Sequence, residues 1–529
     1  MNPALGTDPR RRTIAAQRGT ATVFPRRRVV VVGGGIAGLA AATGLAERGV
    51  TVELLEAMPY LGGRVGGWTV PLPDGRHTGM SRGFHAFFRQ YYNLRALLAR
   101  AESGLAVLRP VADYPLVDAQ GRVDSFRGLP TTPPWNAIAF ALRSPTFPAS
   151  GLLRVSAKDA LPLIDVRVPD VYHALDDLDA HAFLDRIRFP DAARHLAFDV
   201  FSRSFFAPAE QLSAAELALM FHLYFLGSAE GLVFDVPHRP FHELWQPLAD
   251  YLTGRGARLR TGMAVERIEQ DGSVFRVNGS GETAHADAVV LATDVRGLRT
   301  LVANSPALGP PWWREQVAKL TTAPPFCVLR AWLDRPVDPA RPAFLATGGR
   351  PPLDNVSVLD RYDTDAAAWA TREGGSVVEL HAYAVTGGDD PGVRQDIRAR
   401  LWQRLHEVYP ETRAARTVTE QVLWRDDCPL FPPGSFVFRP GISTPVPGLV
   451  LAGDGIRVDL PVALMERAAT TGWLAANHLL ANWGAAGHDL VTVPGRGYNA
   501  ALRALRTLGA LTARFGSRRD AIPGAGVPV

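Results

Sequence analysis

A run of four valines, Val29 to Val32, leads directly into Gly33-Gly-Gly35-Ile-Ala-Gly38, and no other stretch of the chain limits its fold as tightly. The continuous β-branched run reads as a strand buried on both faces of a parallel sheet. The glycines match G-x-G-x-x-G: the first allows a tight turn, the second lets the backbone approach a pyrophosphate, and the third permits close helix–strand packing. Helical spacing follows from Leu39 to Arg48, so the N–H groups around Ala37 open a helix whose positive end faces the phosphates. A second strand, Thr51 to Leu55, ends at Glu56, where a carboxylate accepts hydrogen bonds from an adenosine ribose. Strand, turn, helix, strand and acid in register predict a dinucleotide site.

Composition narrows the remaining choices. At 529 residues the chain exceeds what one core usually spans, which predicts two intertwined domains. A net charge of +5 is too mild to indicate nucleic acid. Lys158 and Lys319 are the only lysines, so lysine is removed from most catalytic roles. Cys327 and Cys428 are the only cysteines and have no ligand-spaced partners. They exclude a disulfide framework, an iron–sulfur cluster and a zinc-thiolate site, and suit a reducing cytoplasm. No apolar run reaches the length of a bilayer span. Residues 1–25 carry Arg10, Arg11, Arg12 and Arg18 without an apolar core, and read as a disordered extension rather than a signal peptide.

The expected fold class is α/β, a Rossmann-like dinucleotide-binding domain interleaved with an α+β substrate-binding domain. The first would comprise 26–100, 245–310 and 440–485; the second, 101–244 and 311–439. Strand patterning returns at Arg258 to Ile268, Val274 to Val277, Ala288 to Ala292 and Leu449 to Ala452, with further strands at Phe326 to Leu333 and Ser376 to Ala384. Ser213 and Glu216 fit a capping box before the apolar run Leu217 to Leu226. A tail, 486–529, places Leu502, Leu505, Leu508, Leu511 and Phe515 at helical spacing among arginines. That is the pattern of a basic amphipathic helix able to lie on an anionic membrane, or of a helix docked on its own domain.

Leu61-Gly62-Gly63-Arg64, just past the acidic strand end, resembles the GG motif of the amine oxidase and phytoene desaturase superfamily of flavoproteins. The resemblance implies FAD, with Gly63 passing close to the cofactor and Arg64 pairing with its phosphates. Leu451-Ala-Gly453-Asp454 resembles the segment that sets an Asp on the ribityl chain. By the same resemblance, the helix start at Leu464 to Arg467, with Met465, lies beside the flavin ring, and Gly262 to Val265 puts the Val265 backbone against the adenine.

Three further stretches resemble one branch, the carotenoid desaturase/methyltransferases called isorenieratene synthases. They are Met80 to Arg95, Phe198 to Phe206 and Phe221 to Gly231. That likeness implies a carotenoid substrate, β-carotene, whose β-ring loses four hydrogens while one methyl moves from carbon 1 to carbon 2. No methyl donor is needed, the flavin takes the electrons, and what reoxidises it is unknown. It also sets Gly83 and His85 close to the isoalloxazine, making His85 the first candidate proton acceptor, against a purely structural histidine. Asp199, Asp235, Asp459 and Glu466 are weaker candidates. Phe84, Phe87, Phe88, Tyr91, Tyr92, Phe201, Phe205 and Phe206 offer rings for a polyene or a cation, or plain core packing. The expected location is cytoplasmic and peripheral to the membrane. The alternatives are a carotene desaturase or isomerase acting on linear polyenes, a protoporphyrinogen oxidase, and a flavin-containing carotenoid carrier.

Overall fold

In a computed structural model, residues 6–147, 151, 155–197 and 205–496 are described. Five strands form a parallel sheet in the order Arg258–Thr261, Thr51–Glu56, Arg28–Val32, Ala288–Leu291, Leu449–Leu451. Val29, Val30 and Val31 are fully buried at its centre, because helices or other strands cover both faces. The helix Ile36–Ala46 is buried along its whole length, packed between this sheet and the helix Leu464–Asn482. Contact between the two helices is close: a Cβ on Gly472 would lie 2.2 Å from the Ala37 carbonyl oxygen. The expected α/β class with a Rossmann-like core is therefore present.

A second sheet of seven strands runs in the order Thr417–Arg425, Phe326–Leu333, Ser376–Ala382, Asn355–Val358, Phe344–Thr347, Leu116–Val117, Val123–Asp124. All neighbours are antiparallel except Phe344–Thr347 beside Leu116–Val117. The hairpin Gly67–Pro71/His77–Ser81 and the following loop carry the chain from the glycine-rich segment toward this sheet.

Four expectations need correction. Residues 6–25 are not a disordered extension. Arg12–Ile14 pairs antiparallel with Leu490–Thr492, Thr20 bridges Ala485, and the Thr7 and Asp8 amides donate to buried Glu230. Strand pairing and a buried carboxylate fix a segment that lacks apolar periodicity of its own. For the same reason, 486–496 is part of the fold; the amphipathic pattern beyond it, Leu502 to Arg519, lies outside the described residues.

The capping box is only half formed. Ser213 Oγ accepts from the Ala215 amide at 3.2 Å, but the Ser213 amide donates to the Phe431 carbonyl rather than to Glu216. Two buried arginines, Arg439 and Arg467, claim the Glu216 carboxylate, each at 2.7 Å, and a charge-assisted pair outcompetes a cap. The apolar run is also not one regular helix: an α-helix over Ala214–Phe221 continues as a π-turn over His222–Leu226.

Candidate active site

The glycine loop is built as its sequence requires. Gly33 has φ +108°, and a Cβ there would sit 2.5 Å from the Ala292 carbonyl oxygen. A Cβ on Gly38 would fall 1.9 Å from the Gly33 carbonyl oxygen, so helix and strand approach through a gap no side chain fits. Gly35 begins the helix without any side-chain cap, which leaves the first-turn N–H groups of Ile36, Ala37 and Gly38 for an anion. The Gly62 amide donates to the Gly34 carbonyl at 2.8 Å, and a Cβ on Gly63 would lie 3.1 Å from Gly35 Cα. Two glycine segments thus face each other across a backbone-walled cradle. Beside it, just past the Ala288–Leu291 strand, the buried hydroxyl of Thr293 has no partner among the described residues.

Glu56 closes one end of the cradle. Its carboxylate accepts from the Gly34 amide at 2.6 Å and the Met58 amide at 2.7 Å. Burial raises its pKa, opposed by those two hydrogen bonds. The Met263 amide donates to the Glu56 carbonyl, which brings Gly262 to Val265 alongside, where the resemblance set the adenine. At the other end Gly453 is held by Thr471 Oγ1, at 2.9 Å from its amide. Next to it Asp454 accepts from Arg64 at 2.5 Å. Burial works against the Arg64 charge, but Asp454 outweighs it and keeps the guanidinium protonated. Each had been expected on the cofactor; here they hold each other. Met465 is half-buried one residue into the Leu464–Asn482 helix.

An uncapped helix end, an orphaned buried hydroxyl, a glycine-walled cradle and an arginine–aspartate pair at its rim fit a dinucleotide with a long bridging chain. The residues present fit FAD.

Beyond the cradle lies a small cavity lined by Gly83, Phe84, His85, Phe241, Arg330 and Glu379, among others. His85 Nδ1 is 2.8 Å from the Gly83 carbonyl oxygen, which can only accept. The ring is therefore the Nδ1–H tautomer, and Nε2 is its proton-accepting nitrogen. Burial pushes its pKa down to about 4, so it is neutral near pH 7.

Four side chains behind Gly83 were not singled out from the sequence. Arg330 Nη2 donates to Glu379 Oε2 at 2.6 Å, and His381 Nε2 donates to Glu379 Oε1 at 2.8 Å. His381 Nδ1 consequently accepts from the Tyr383 hydroxyl at 2.5 Å. Burial opposes the Glu379 charge, yet Arg330 and His381 prevail and bring its pKa to about 2. Glu379 and His381 share one strand face by the two-residue period, Tyr383 follows just past the strand's end, and Arg330 stands opposite Glu379 on the neighbouring strand. Gly83 has φ +103°, and a Cβ on it would sit 2.6 Å from His381 Cε1.

The weaker base candidates are otherwise engaged. Asp235 accepts from Arg95 at 2.7 Å, and Asp459 is exposed beside Arg457. Glu466 does not cap its own helix. It accepts from the Asn93 and Leu94 amides, at 2.9 and 3.0 Å, and so caps the helix Tyr92–Leu98. Asp199 and Phe201 lie outside the described residues. Among the rings, Phe87 is core, Tyr91 meets the Tyr224 hydroxyl at 2.5 Å, and Tyr92 donates to Glu230 at 3.0 Å. Phe84 stacks on Phe344, Phe88 packs on Tyr224, Phe205 meets Phe431 edge-on, and Phe206 meets Tyr383 edge-on.

A Rossmann-like core with this cradle, together with a cavity beside a second sheet that Gly83 and His85 line, is the architecture of an FAD-dependent oxidoreductase. The chain belongs to the flavin containing amine oxidoreductase family, whose profile matches residues 36–480. It is 56% identical over 482 residues to a carotenoid phi-ring synthase of Streptomyces griseus, covering 91% of this chain and 93% of that one. A carotenoid phi-ring synthase of Chlorobaculum tepidum is 28% identical over 89% of this chain and 91% of its own. A zeta-carotene desaturase of Synechocystis is 28% identical over 86% of this chain and 97% of its own. Among solved structures, cyclohexylamine oxidase from Brevibacterium oxydans superposes with a TM-score of 0.62 at 16% identity, covering 86% of this chain and all of that one (100%). A putative protoporphyrinogen oxidase from Exiguobacterium gives a TM-score of 0.60 at 17% identity, covering 86% and 99%.

Proposed function

We propose that this enzyme desaturates a carotenoid β-ring with a 1,2-methyl shift, aromatising β-carotene towards isorenieratene. The observation that carries the reading is the 56% identity, across nine-tenths of both chains, to a protein named a carotenoid phi-ring synthase. The site chemistry agrees with it. Each ring must lose four hydrogens in two two-electron oxidations, and the electrons pass on to an external acceptor. FAD, when bound in the cradle, supplies hydride acceptance.

The protein's own residues supply the rest. Gly33 to Gly38, Glu56, Gly63, Arg64, Thr293 and Asp454 bind the dinucleotide, and Val265, Gly83 and Met465 border it. Phe84, backed by Phe344, and Phe241 give the cavity apolar walls that exclude water and present ring faces to a developing cation. His85 Nε2, neutral at working pH, takes the proton whose loss completes the aromatic ring. Glu379 and His381 are positioning residues that hold Gly83, and through it the His85 loop, in place.

The test is an anaerobic incubation of the FAD-loaded protein with β-carotene. Bleaching of the flavin is expected, and turnover with an added electron acceptor should then give a product four hydrogens lighter per ring that shows aromatic proton signals. Consumption of lycopene with β-carotene untouched would select the second reading, desaturation of a linear polyene, which the similarity to zeta-carotene desaturases favours. Bound flavin that neither substrate reduces would indicate a carrier.

A further inference from the structure

The helix Trp135–Arg143 is turned inside out relative to a helix that merely closes a core. Trp135, Ile138 and Leu142, at positions i, i+3 and i+7, are exposed to 62%, 43% and 74%. They form one apolar stripe facing solvent, headed by a tryptophan, a side chain suited to a wet–apolar boundary. The opposite face anchors the helix firmly. Asn136 Nδ2 donates to the Phe225 carbonyl at 2.6 Å, and Phe140 stacks on Phe126 at 4.9 Å with ring planes 3° apart. Core demand is thus met from the other side, and the outward stripe is left over.

Charge and access point to what covers it. Arg143 donates to the Arg127 carbonyl at 3.0 Å, so exposed Arg143 and the backbone carrying exposed Arg127 meet at the C-terminal end of the helix. Arg127, with Arg109, Arg341 and Arg361, also lines a cleft of about 720 Å³ whose one lining acid is Asp113. Val236 and Tyr362 line both this cleft and the cavity containing His85. An apolar stripe edged by cations, next to a cleft that adjoins the active-site cavity, is the arrangement by which a protein sits on an anionic bilayer and draws an apolar molecule from it.

We propose that the Trp135–Arg143 helix is the face that docks on an anionic lipid bilayer, Trp135, Ile138 and Leu142 entering the interface while Arg109, Arg127 and Arg143 meet headgroups. The polyene then enters the cleft from the bilayer. The substrate this face admits rests on the function proposed above.

The FAD-loaded full chain, its W135S/I138S/L142S variant and its R127E/R143E variant are sedimented with vesicles of phosphatidylcholine, with and without phosphatidylglycerol. The apolar variant is expected to lose about tenfold or more in partitioning. The charge variant is expected to lose about tenfold on phosphatidylglycerol vesicles only. Unchanged sedimentation of the apolar variant overturns the proposal. So does a wild type that ignores vesicles and forms a dimer which the apolar variant dissolves, since the stripe then belongs to a second copy. Substrate delivery gives a second readout: wild type and apolar variant should consume micellar β-carotene equally, but only wild type should consume β-carotene embedded in vesicles. If wild type binds vesicles and the variant does not, yet neither consumes β-carotene in any form, docking stands and the function reading fails.

Discussion

Arg64 and Asp454 lie 390 positions apart and meet at 2.5 Å, joining the second glycine segment to the turn after the last strand of the parallel sheet at the rim of the dinucleotide cradle. Removing either leaves its partner without the ion pair and the Gly62–Gly63 segment no longer tied to Asp454. Asp454→Ala and Arg64→Met should each weaken FAD retention by roughly ten- to a hundredfold, from a pair of this kind. Flavin content after gel filtration, and the Kd from flavin fluorescence, read this directly. Retention equal to wild type in both variants would remove the pair from the cofactor site.

His85 yields a pH prediction with a definite sign. Its pKa is lowered by burial to about 4, from an ordinary value of 6.5. The neutral ring is therefore present throughout the neutral range, and the rate of aromatic product formation should be flat above about pH 5 and fall as pH approaches 4. His85→Gln should lower that rate by about 10² to 10⁴ without altering FAD content. Stability follows the same linkage. Between 6.5 and 4 the unfolded chain binds the proton and the folded one does not, so the stability His85 contributes is complete above 6.5 and lost as pH falls through 4. Buried His222, also lowered to about 4, adds to the same acid slope. Melting temperatures of wild type, His85→Gln and His222→Gln between pH 7 and 4 should show shallower declines in the variants.

Gly83 carries a positive φ and a neighbour that excludes a side chain, and the two effects can be separated. Gly75 also has positive φ, +82°, but a Cβ there would meet nothing within 4 Å. Gly75→Ala should cost only the backbone strain, about 1 kcal/mol. Gly83→Ala should cost more, about 2–3 kcal/mol, and should slow flavin reduction because its methyl drives His381 away from Glu379. Thermal unfolding and stopped-flow reduction of the same two proteins compare them. Equal effects in both would mean that His381 does not constrain the loop.

The dinucleotide end of the site was legible because its chemistry is local: the turn, helix start and acid of a βαβ unit fall within about thirty residues and need fixed residue types. The chemical end was not. Arg330 and Glu379 are 49 positions apart and meet only through antiparallel register. Their one local sign was Glu379, His381 and Tyr383 at alternate positions of an expected strand, polar residues on a face that would otherwise be apolar. Thr293 gave a fainter sign, directly after a buried strand. The Ser213–Glu216 spacing did suggest a motif, and there tertiary charge overrode it. The N-terminal residues show the opposite case, with order supplied wholly by distant partners, Leu490–Thr492 and Glu230.

Glu216 supplies the sharpest test of what holds the helical region to the cofactor domain. Its carboxylate is fully buried and takes one arginine on each oxygen, Arg439 at Oε1 and Arg467 at Oε2. Burial would raise its pKa, but Arg467 and Arg439 reverse the shift and keep it ionised. Glu216→Ala strands two guanidinium groups in the interior and should cost about 3–5 kcal/mol, most of it for the uncompensated charge rather than for the lost bond. Replacing Arg439 by Met as well should recover part of that loss, since Arg439 sits among the rings of Tyr172, Phe431 and Phe436, where an apolar chain can pack. Arg467 behaves differently because it also reaches the Asp454 carbonyl at 3.4 Å. Freed from Glu216, it should disturb Asp454 and lower FAD retention in both variants. Chemical unfolding and flavin content therefore part company: the double variant should regain stability without regaining flavin, and recovery of both together would break the proposed link between Glu216 and the cradle.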